Sequence, residues 1–342
     1  METYARHKLT WRVDMIISIV MTTYNGEKYI IKQLESILNQ TRLPDEVIIC
    51  DDVSSDNTEA IVSKFIIDNS LHNWIFIRNE KNKGWKKNFL DAIAMATGDI
   101  IFCADQDDVW MSDKVEIMSL IMEEDRRIKC LSGNLLAIDS SGVEFESMYP
   151  IGNNTGEITQ VPFTSKFNNI ILLGCTLCFT REIAEIIGEI NVDSFHHDAQ
   201  ICRLSAIVDG TYIIDRCVIK YRIHQSNSSG IVQGICFGSS SLKKRIDEIS
   251  SNLFWLDAVI SFFANYSRCD AVKLKVIKET RNFLNDRLEF LNTKSIIKYI
   301  CLFKYISYYS NLGMYIGDFC YAFGINKVGG KIRWVLKKMI SL

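Results

Sequence analysis

Three carboxylates fall within four positions of this chain. Asp105, Asp107 and Asp108 follow the apolar run Ile100-Ile-Phe-Cys-Ala104 and precede Val109-Trp110. Such a run, bounded by Gly98-Asp99, reads as a strand covered on both faces, and in open α/β sheets ligands bind just beyond the carboxyl ends of such strands. Carboxylates crowded at one tip repel one another unless a cation joins them. Mn²⁺ or Mg²⁺, held by one or two carboxylates with substrate phosphates completing the oxygen shell, suits that tip. The competing reading makes Asp105 to Asp113 caps and dipole-facing acids for a helix over Ser112 to Glu124. Caps account for one or two acids, not for three at a strand exit. A second acidic pair, Asp51-Asp52, ends the short apolar run Val47-Ile-Ile-Cys50. A carboxylate there can accept a hydrogen bond from a base N–H, and the turn Thr22 to Asn25 offers backbone groups for the rest of the base.

For those acids to meet, strands must deliver them to one edge. Ile16-Ile-Ser-Ile-Val-Met-Thr-Thr23, rich in β-branched residues and closed by Asn25-Gly26, is a first strand and its turn. From Glu27 to Asn39, Ile30, Leu34, Ile37 and Leu38 recur at helical spacing. Pro44 breaks the connection before the strand Val47 to Cys50. Asp56 and Glu59 make a capping-box-like start for a helix over Thr58 to Asn69. Ile75 to Arg78 is a third strand, Trp85 to Ala96 a helix stopped by Gly98, and Ile100 to Ala104 the fourth strand. This alternation argues a mostly parallel sheet flanked by helices, with both acidic tips on one rim, where a nucleotide diphosphate could lie between them. Neither the dinucleotide fingerprint nor the P-loop motif is present. Further on, Leu131 to Asp139 reads as a strand, Ser140 to Lys166 as a long loop and Ile170 to Phe179 as a buried strand. Arg181 to Ile187 and Ala199 to Val208 read as helices, and Thr211 to Ile214 and Val218 to Ile223 as two short strands.

Composition narrows the class. At 342 residues, 48% apolar and with a formal charge of -2, the chain has room for a large core, and its charge points away from nucleic acid. Its eleven cysteines form no paired framework, and Met1 to Asp14 lacks the apolar run of a signal peptide, so a cytoplasmic protein is expected. Cys175-x-x-Cys178 lies inside an apolar run with no second pair at zinc spacing, which favours packing. No uncharged apolar stretch approaches the ~20 residues of a spanning helix. The charge is uneven, however: from Leu291 onward eight basic residues face Asp318 alone. Around Ile296 to Tyr305 lysines interleave with apolar and aromatic residues, as in helices lying on an anionic membrane surface or packing on the protein or a second subunit. A boundary near Gly230 to Ser241 divides the chain into a catalytic domain at 1–235 and a helical region at 236–342.

These pieces resemble the inverting nucleotide-sugar glycosyltransferases of family 2, which have the GT-A fold. The resemblance rests on Ser-Ile-Val-Met-Thr-Thr-Tyr-Asn-Gly at 18 to 26, Gln-Leu-Glu-Ser-Ile-Leu-Asn-Gln-Thr at 33 to 41 and Val-Ile-Ile-Cys-Asp-Asp-Val-Ser-Ser-Asp-Asn-Thr at 47 to 58. It continues through Asn-Lys-Gly-Trp-Lys-Lys-Asn at 82 to 88, the stretch from Ala96 to Trp110, and His197-Asp198. It implies a Rossmann-like α/β catalytic domain with a helical C-terminal extension. It further implies that Thr23, Tyr24, Asp52 and Asn88 hold the nucleotide, that Asp105 serves the ribose, diphosphate or metal, and that Asp107 ligates the metal. Asp198 is implied as the catalytic base, held ionised by the helix N-terminus that follows it. The form Asp-Gln-Asp-Asp-Val-Trp, with Tyr-Arg-Ile-His-Gln at 221 to 225, is most similar to bacterial rhamnosyltransferase-like enzymes of O-antigen or capsule synthesis. The expected donor is a UDP- or dTDP-sugar carrying rhamnose, glucose or galactose. The expected acceptor is a lipid-linked glycan, with a peripheral contact on the inner membrane surface and a homo-oligomer among the expected partners. Two positions depart from the family's usual pattern: Val53 stands where glycine is common, and His197 where glutamate commonly precedes the base. The rival readings are a sugar-nucleotide binding or scaffolding protein with an inactive site, and an Asp-nucleophile phosphatase, which would need Thr or Gly where Asp108 stands.

Overall fold

The computed structural model describes residues 15–146, 152–224, 241–265 and 269–325. Close contacts divide the chain into two compact units: Met1–Thr159 with Leu173–Glu185 and Tyr212–Arg222, and Gln160–Leu172 with Ile186–Thr211 and Ile223–Leu342. The expected boundary at 235/236 lies outside the described residues. The second unit also takes in 160–172 and 186–211, which the sequence division assigned to the catalytic domain.

The first unit is built on one sheet. Strands β1 (Ile17–Thr23), β2 (Glu46–Asp51), β3 (Trp74–Arg78) and β4 (Ile100–Ala104) are joined by helices α1 (Ile30–Leu38), α2 (Thr58–Asp68) and α3 (Trp85–Met95). They pair parallel in the order β3-β2-β1-β4. β4 is fully buried, as a strand with both faces covered must be. Register decides where its tip emerges: Thr23 lies beside Asp51, and Met21 beside Ala104. The chain therefore leaves β1, β2 and β4 at the same edge, as the alternation of strands and helices predicts.

Beyond β4 the sheet becomes mixed. After β5 (Val109–Trp110) and α4 (Lys114–Glu124) come β6 (Cys130–Ile138), β7 (Ile158–Gln160), β8 (Leu177–Thr180), α5 (Arg181–Ile190), α6 (His197–Ile207) and β9 (Thr211–Arg222). β8 pairs antiparallel with both β4 and β6, and β5 pairs antiparallel with β9. Two expectations change here. Of the apolar run Ile170 to Phe179 only the end is strand, since a 3-10 turn at Gly174–Thr176 precedes β8. The two short strands after Thr211 are one strand of twelve residues, because Asp215 does not break it. Its carboxylate instead anchors the neighbouring loop, accepting from Asn134 Nδ2 (2.7 Å) and from the Thr155 hydroxyl (2.8 Å).

The second unit contains α6 and the helices α7 (Leu242–Phe263), α8 (Ala271–Thr293), α9 (Ile296–Cys301) and α10 (Leu312–Ala322). Ser241, Asp270, Ser295 and Asn311 cap the last four by accepting N–H bonds from the first turn. At the centre Asp318, fully buried, accepts from Arg245 (2.8 Å), from Arg287 through two nitrogens (2.6 and 2.9 Å) and from the Tyr309 hydroxyl (2.9 Å). Asp318, the one acid among the basic residues of the tail, thus ties α7, α8 and α10 together. Among the described residues no helix is long and apolar enough to cross a membrane.

Candidate functional site

The β2 tip divides labour between its two acids. Asp51 faces inward, accepting from Thr23 Oγ1 (2.8 Å), from Ser54 N (2.8 Å) and from the Ser54 hydroxyl. Asp52 gathers the loop after β3: Oδ1 accepts from Asn79 Nδ2 (3.0 Å) and Lys83 N (2.8 Å), and Oδ2 from Gly84 N (2.8 Å). A carboxylate offers about four acceptor positions, so three donors leave Asp52 capacity for one more. Asn88 is buried behind it, donating to Cys50 O (2.8 Å) and accepting from the same Asn79 amide (2.9 Å). Thr23 and Asn88 therefore brace this strand tip through bonds to the protein. Val53, between the acid pair and Ser54, has a φ of 66°, which explains why glycine would suit this position. A β-branched residue there costs about 1–2 kcal/mol.

Across the edge, Gln106 locks the turn after β1. Its Oε1 accepts from Tyr24 N (2.8 Å) and its Nε2 donates to Tyr24 O (3.0 Å), a paired match to one residue's backbone. A Cβ on Gly26 would lie 2.3 Å from Gln106 Oε1, so a side chain at 26 and this clamp exclude each other. The clamp leaves the Tyr24 ring half exposed at the edge where the base is expected. The sequence reading assigned Gln106 no role of its own; its place between two acids was the available signal.

Asp105 and Asp107 are partly exposed, whereas Asp108 is fully buried. Ligand atoms of Asp105, Asp108 and Cys175 lie within 4.8 Å of one another, and Asp107 is not in this group. Asp108 Oδ1 accepts from Arg222 N (2.9 Å), and its buried Oδ2 has no oxygen or nitrogen donor. Burial, reinforced by the charges of Asp107 and Asp105, pushes the Asp108 carboxyl well above the usual range, and burial does the same to the Cys175 thiol. Cys175 thus stays a protonated thiol. The hard, accessible oxygens suited to Mn²⁺ or Mg²⁺ and a diphosphate are those of Asp105 and Asp107. Asp113, at the α4 N-terminus, makes no capping bond and pairs with Arg216 instead. At α2 the expected capping box is likewise absent. Asp56 accepts from Thr58 N (3.0 Å), while Glu59 pairs with Arg78 (2.6 Å).

Two basic residues brace this loop. Arg222 donates from Nε to Asp107 O (2.8 Å) and from a terminal nitrogen to Asp139 O (3.0 Å), with its guanidinium 4.7 Å from the Tyr29 ring centroid. Lys114, fully buried, donates to Cys175 O (2.6 Å) and stands 3.7 Å from the Trp110 ring centroid. Burial pulls the Lys114 pKa down to about 8.

Asp198 belongs to the second unit, in the first turn of α6. Its Oδ1 accepts from Ala199 N (2.6 Å). Burial raises its pKa, and the charges of His196 and Arg203 oppose that rise without cancelling it. Asp198 stands at the helix N-terminus as expected, and desolvation there outweighs the N–H bond from Ala199, so its carboxyl lies above the ordinary value. His197 points inward, and burial pushes its pKa down to about 3, so the ring is neutral. Arg203, buried beside Asp198, donates to Asn168 Oδ1 (3.0 Å) and Asn252 Oδ1 (2.9 Å) and lies 5.2 Å from the Phe195 ring. Cys175 and Cys178 are both free and buried, as their apolar setting predicts.

The family model described as glycosyl transferase family 2 matches residues 18–185, which span the strand edge bearing Thr23, Asp52, Asp105 and Asp107. UDP-Glc:alpha-D-GlcNAc-diphosphoundecaprenol beta-1,3-glucosyltransferase WfgD of Escherichia coli is 30% identical over 222 residues, covering 63% of this chain and 80% of that protein. The chain belongs to glycosyl transferase family 2. It is a glycosyltransferase with a GT-A fold, and dTDP-rhamnosyl transferase RfbG of Shigella flexneri is a further relative, 36% identical over 129 residues. That match covers 36% of this chain and 43% of RfbG. Among solved structures, S. aureus TarS 1-349 is similar with a TM-score of 0.54 and 18% identity, over 90% of this chain and 81% of that one. GalNAc-T7, crystallised with UDP, GalNAc and Mn²⁺, is similar with a TM-score of 0.52 and 15% identity, over 78% of this chain and 55% of that one. At these identities the likeness shows the fold alone. The family match ends before Asp198, whose role as base rests on the His-Asp pair of the resemblance.

Proposed function

We propose that this family 2 glycosyltransferase moves a hexose or deoxyhexose from a UDP- or dTDP-sugar to a lipid-linked glycan of a bacterial surface polysaccharide, with inversion at the anomeric carbon. The observation that carries the reading is the register of the sheet, which brings the tips bearing Asp52, Asp105 and Asp107 to one edge beside the Tyr24 turn. Asp52 uses its remaining acceptor capacity on the base, and Tyr24 flanks the ring. Asp105 and Asp107 hold the divalent ion, with Asp107 a direct ligand and Asp105 on the ion or the ribose. When bound, Mn²⁺ or Mg²⁺ neutralises charge on the departing diphosphate. Asp198 takes the acceptor hydroxyl proton, a task its raised pKa favours. The lipid-linked acceptors named for WfgD, and the rhamnosyl donor named for RfbG, support this choice of substrate class. A protein serving such an acceptor works as a peripheral protein at the cytoplasmic face of the membrane.

The test is a panel of nucleotide sugars with an undecaprenyl-diphosphate-linked acceptor, with Mn²⁺ or with chelator, followed by NMR of the product anomer. Inverted product made only with metal, and lost in Asp107→Asn with the fold intact, supports the reading. Donor binding with neither transfer nor hydrolysis would turn the assignment toward a binding or scaffolding protein.

A further inference from the structure

Between α8 and α10 the chain shows an apolar face that the described residues leave uncovered. Ile296, Ile297, Ile300 and Phe303 are 59, 75, 63 and 60% exposed, on the short helix α9 and the 3-10 helix Leu302–Tyr308 that continues it. Their spacing of one, three and three residues puts them on one stripe of a helix. The opposite stripe is packed: Leu302 is buried, Tyr299 stacks on Tyr315 with ring centroids 4.5 Å apart, and Phe290 lies 5.0 Å from Tyr299. A short helix anchored on one side while presenting four large apolar side chains to water marks an interaction surface.

We infer that this face docks on an anionic lipid bilayer, lying in the interfacial plane. Charge selects this occupant. From Lys294 to Gly317 the chain carries Lys294, Lys298 and Lys304 and no acidic residue, and the last stretch, 326–342, adds five basic residues and no acidic one. The acids that pair with Lys298 and Lys304 belong to α8, Glu289 and Asp286. Although those two lysines each have an acid beside them, the chain from Leu291 onward is strongly net basic, and a second copy meeting the face about a two-fold axis would set one basic rim against another. An anionic headgroup layer meets the same rim with opposite charge, and the isoleucines and Phe303 enter the headgroup and acyl boundary. The inference deepens the proposed function, since a lipid-linked acceptor must be reached at that surface, but its test needs neither donor nor acceptor.

The experiment is co-sedimentation of the full chain with phosphatidylglycerol-containing vesicles and with pure phosphatidylcholine vesicles, alongside the variant Ile297→Glu/Ile300→Glu/Phe303→Glu. All three positions are exposed, so circular dichroism and thermal melting should match the parent. The expected result is binding to anionic vesicles that weakens with salt and falls roughly tenfold or more in the variant. Equal binding by parent and variant overturns the inference. So does a parent that is dimeric by light scattering and becomes monomeric in the variant, which would assign the face to a second copy. Transfer to a soluble acceptor analogue, measured on the same variant, should be unchanged. Loss of vesicle binding with transfer retained isolates the docking face, and absence of transfer in the parent would count against the proposed function alone.

Discussion

Arg222 holds the loop of Asp105 to Asp108 from behind. Its guanidinium donates to the carbonyls of Asp107 and Asp139, so it fixes the backbone that carries the Asp107 carboxylate. Lysine keeps the charge but loses the planar fork that reaches both carbonyls. Arg222→Lys should raise the Mn²⁺ concentration for half-maximal rate by about 10-fold or more, as loss of an outer-shell partner does, with kcat at saturating metal near the parent's. Metal titrations of turnover separate this from general unfolding, which would lower kcat. For Asp198, removal of a general base costs ~10²–10⁴ in rate. Asp198→Asn should bind nucleotide and metal as the parent does, by calorimetry, while transfer falls by that factor. Loss of donor binding instead would defeat the base assignment.

At the scale of elements, the start of β4 depends on one carboxylate. Glu46, at the head of β2, accepts from the Ser18 hydroxyl, from Thr97 N–H and hydroxyl (the latter 2.8 Å), and from Gly98 N (3.2 Å). Burial alone would raise its pKa, but the bonds from Ser18, Thr97 and Gly98 prevail and hold it below the usual glutamate value. The folded value lies below the unfolded one, so this contribution is complete above the ordinary glutamate pKa and is lost as pH falls through the depressed one. Glu46→Gln should therefore lower the melting temperature at neutral pH and approach the parent's in acid, as scanning calorimetry across pH would register. Gly98 is fixed by the same contact, since a Cβ there would lie 2.4 Å from Ser18 Oγ. Elements of this kind were readable from the sequence where period, caps and apolar runs agree, which holds from β1 through β4 and places both acidic tips correctly. The antiparallel half was not, because pairing direction depends on where distant strands dock, and no local pattern in Leu177–Thr180 records its contact with β4. The roles of Gln106 and Arg222 were hidden for a related reason: each acts on backbone groups far along the chain.

On the scale of the whole molecule, the tail's basic excess looks different once Asp318 is placed. Two arginines and a tyrosine hydroxyl converge on that carboxylate in a buried cluster, so removing its charge leaves two guanidinium groups facing each other without their counter-ion. Breaking a buried pair from one side costs about 3–5 kcal/mol. Asp318→Asn should lose stability of that order in the transition reporting the helical unit, by urea denaturation, while nucleotide binding at the strand edge of the remaining folded protein is preserved. A change under about 1 kcal/mol would show that the cluster is not what holds α7, α8 and α10 together.

The antiparallel pairing of β4 also has a consequence for synthesis. β1 to β4 can assemble as soon as Ala104 has left the ribosome, but the strand that covers the outer edge of β4 begins at Leu177, roughly 70 residues later. At ~5–20 residues per second the nascent chain carries an open, wholly apolar strand edge for about 4–15 s. That interval is when this protein is most exposed to mispairing with its neighbours on a polysome. Slow codons before Leu177 should lower soluble yield, whereas the same codons after Arg222, when every strand among the described residues has emerged, should not.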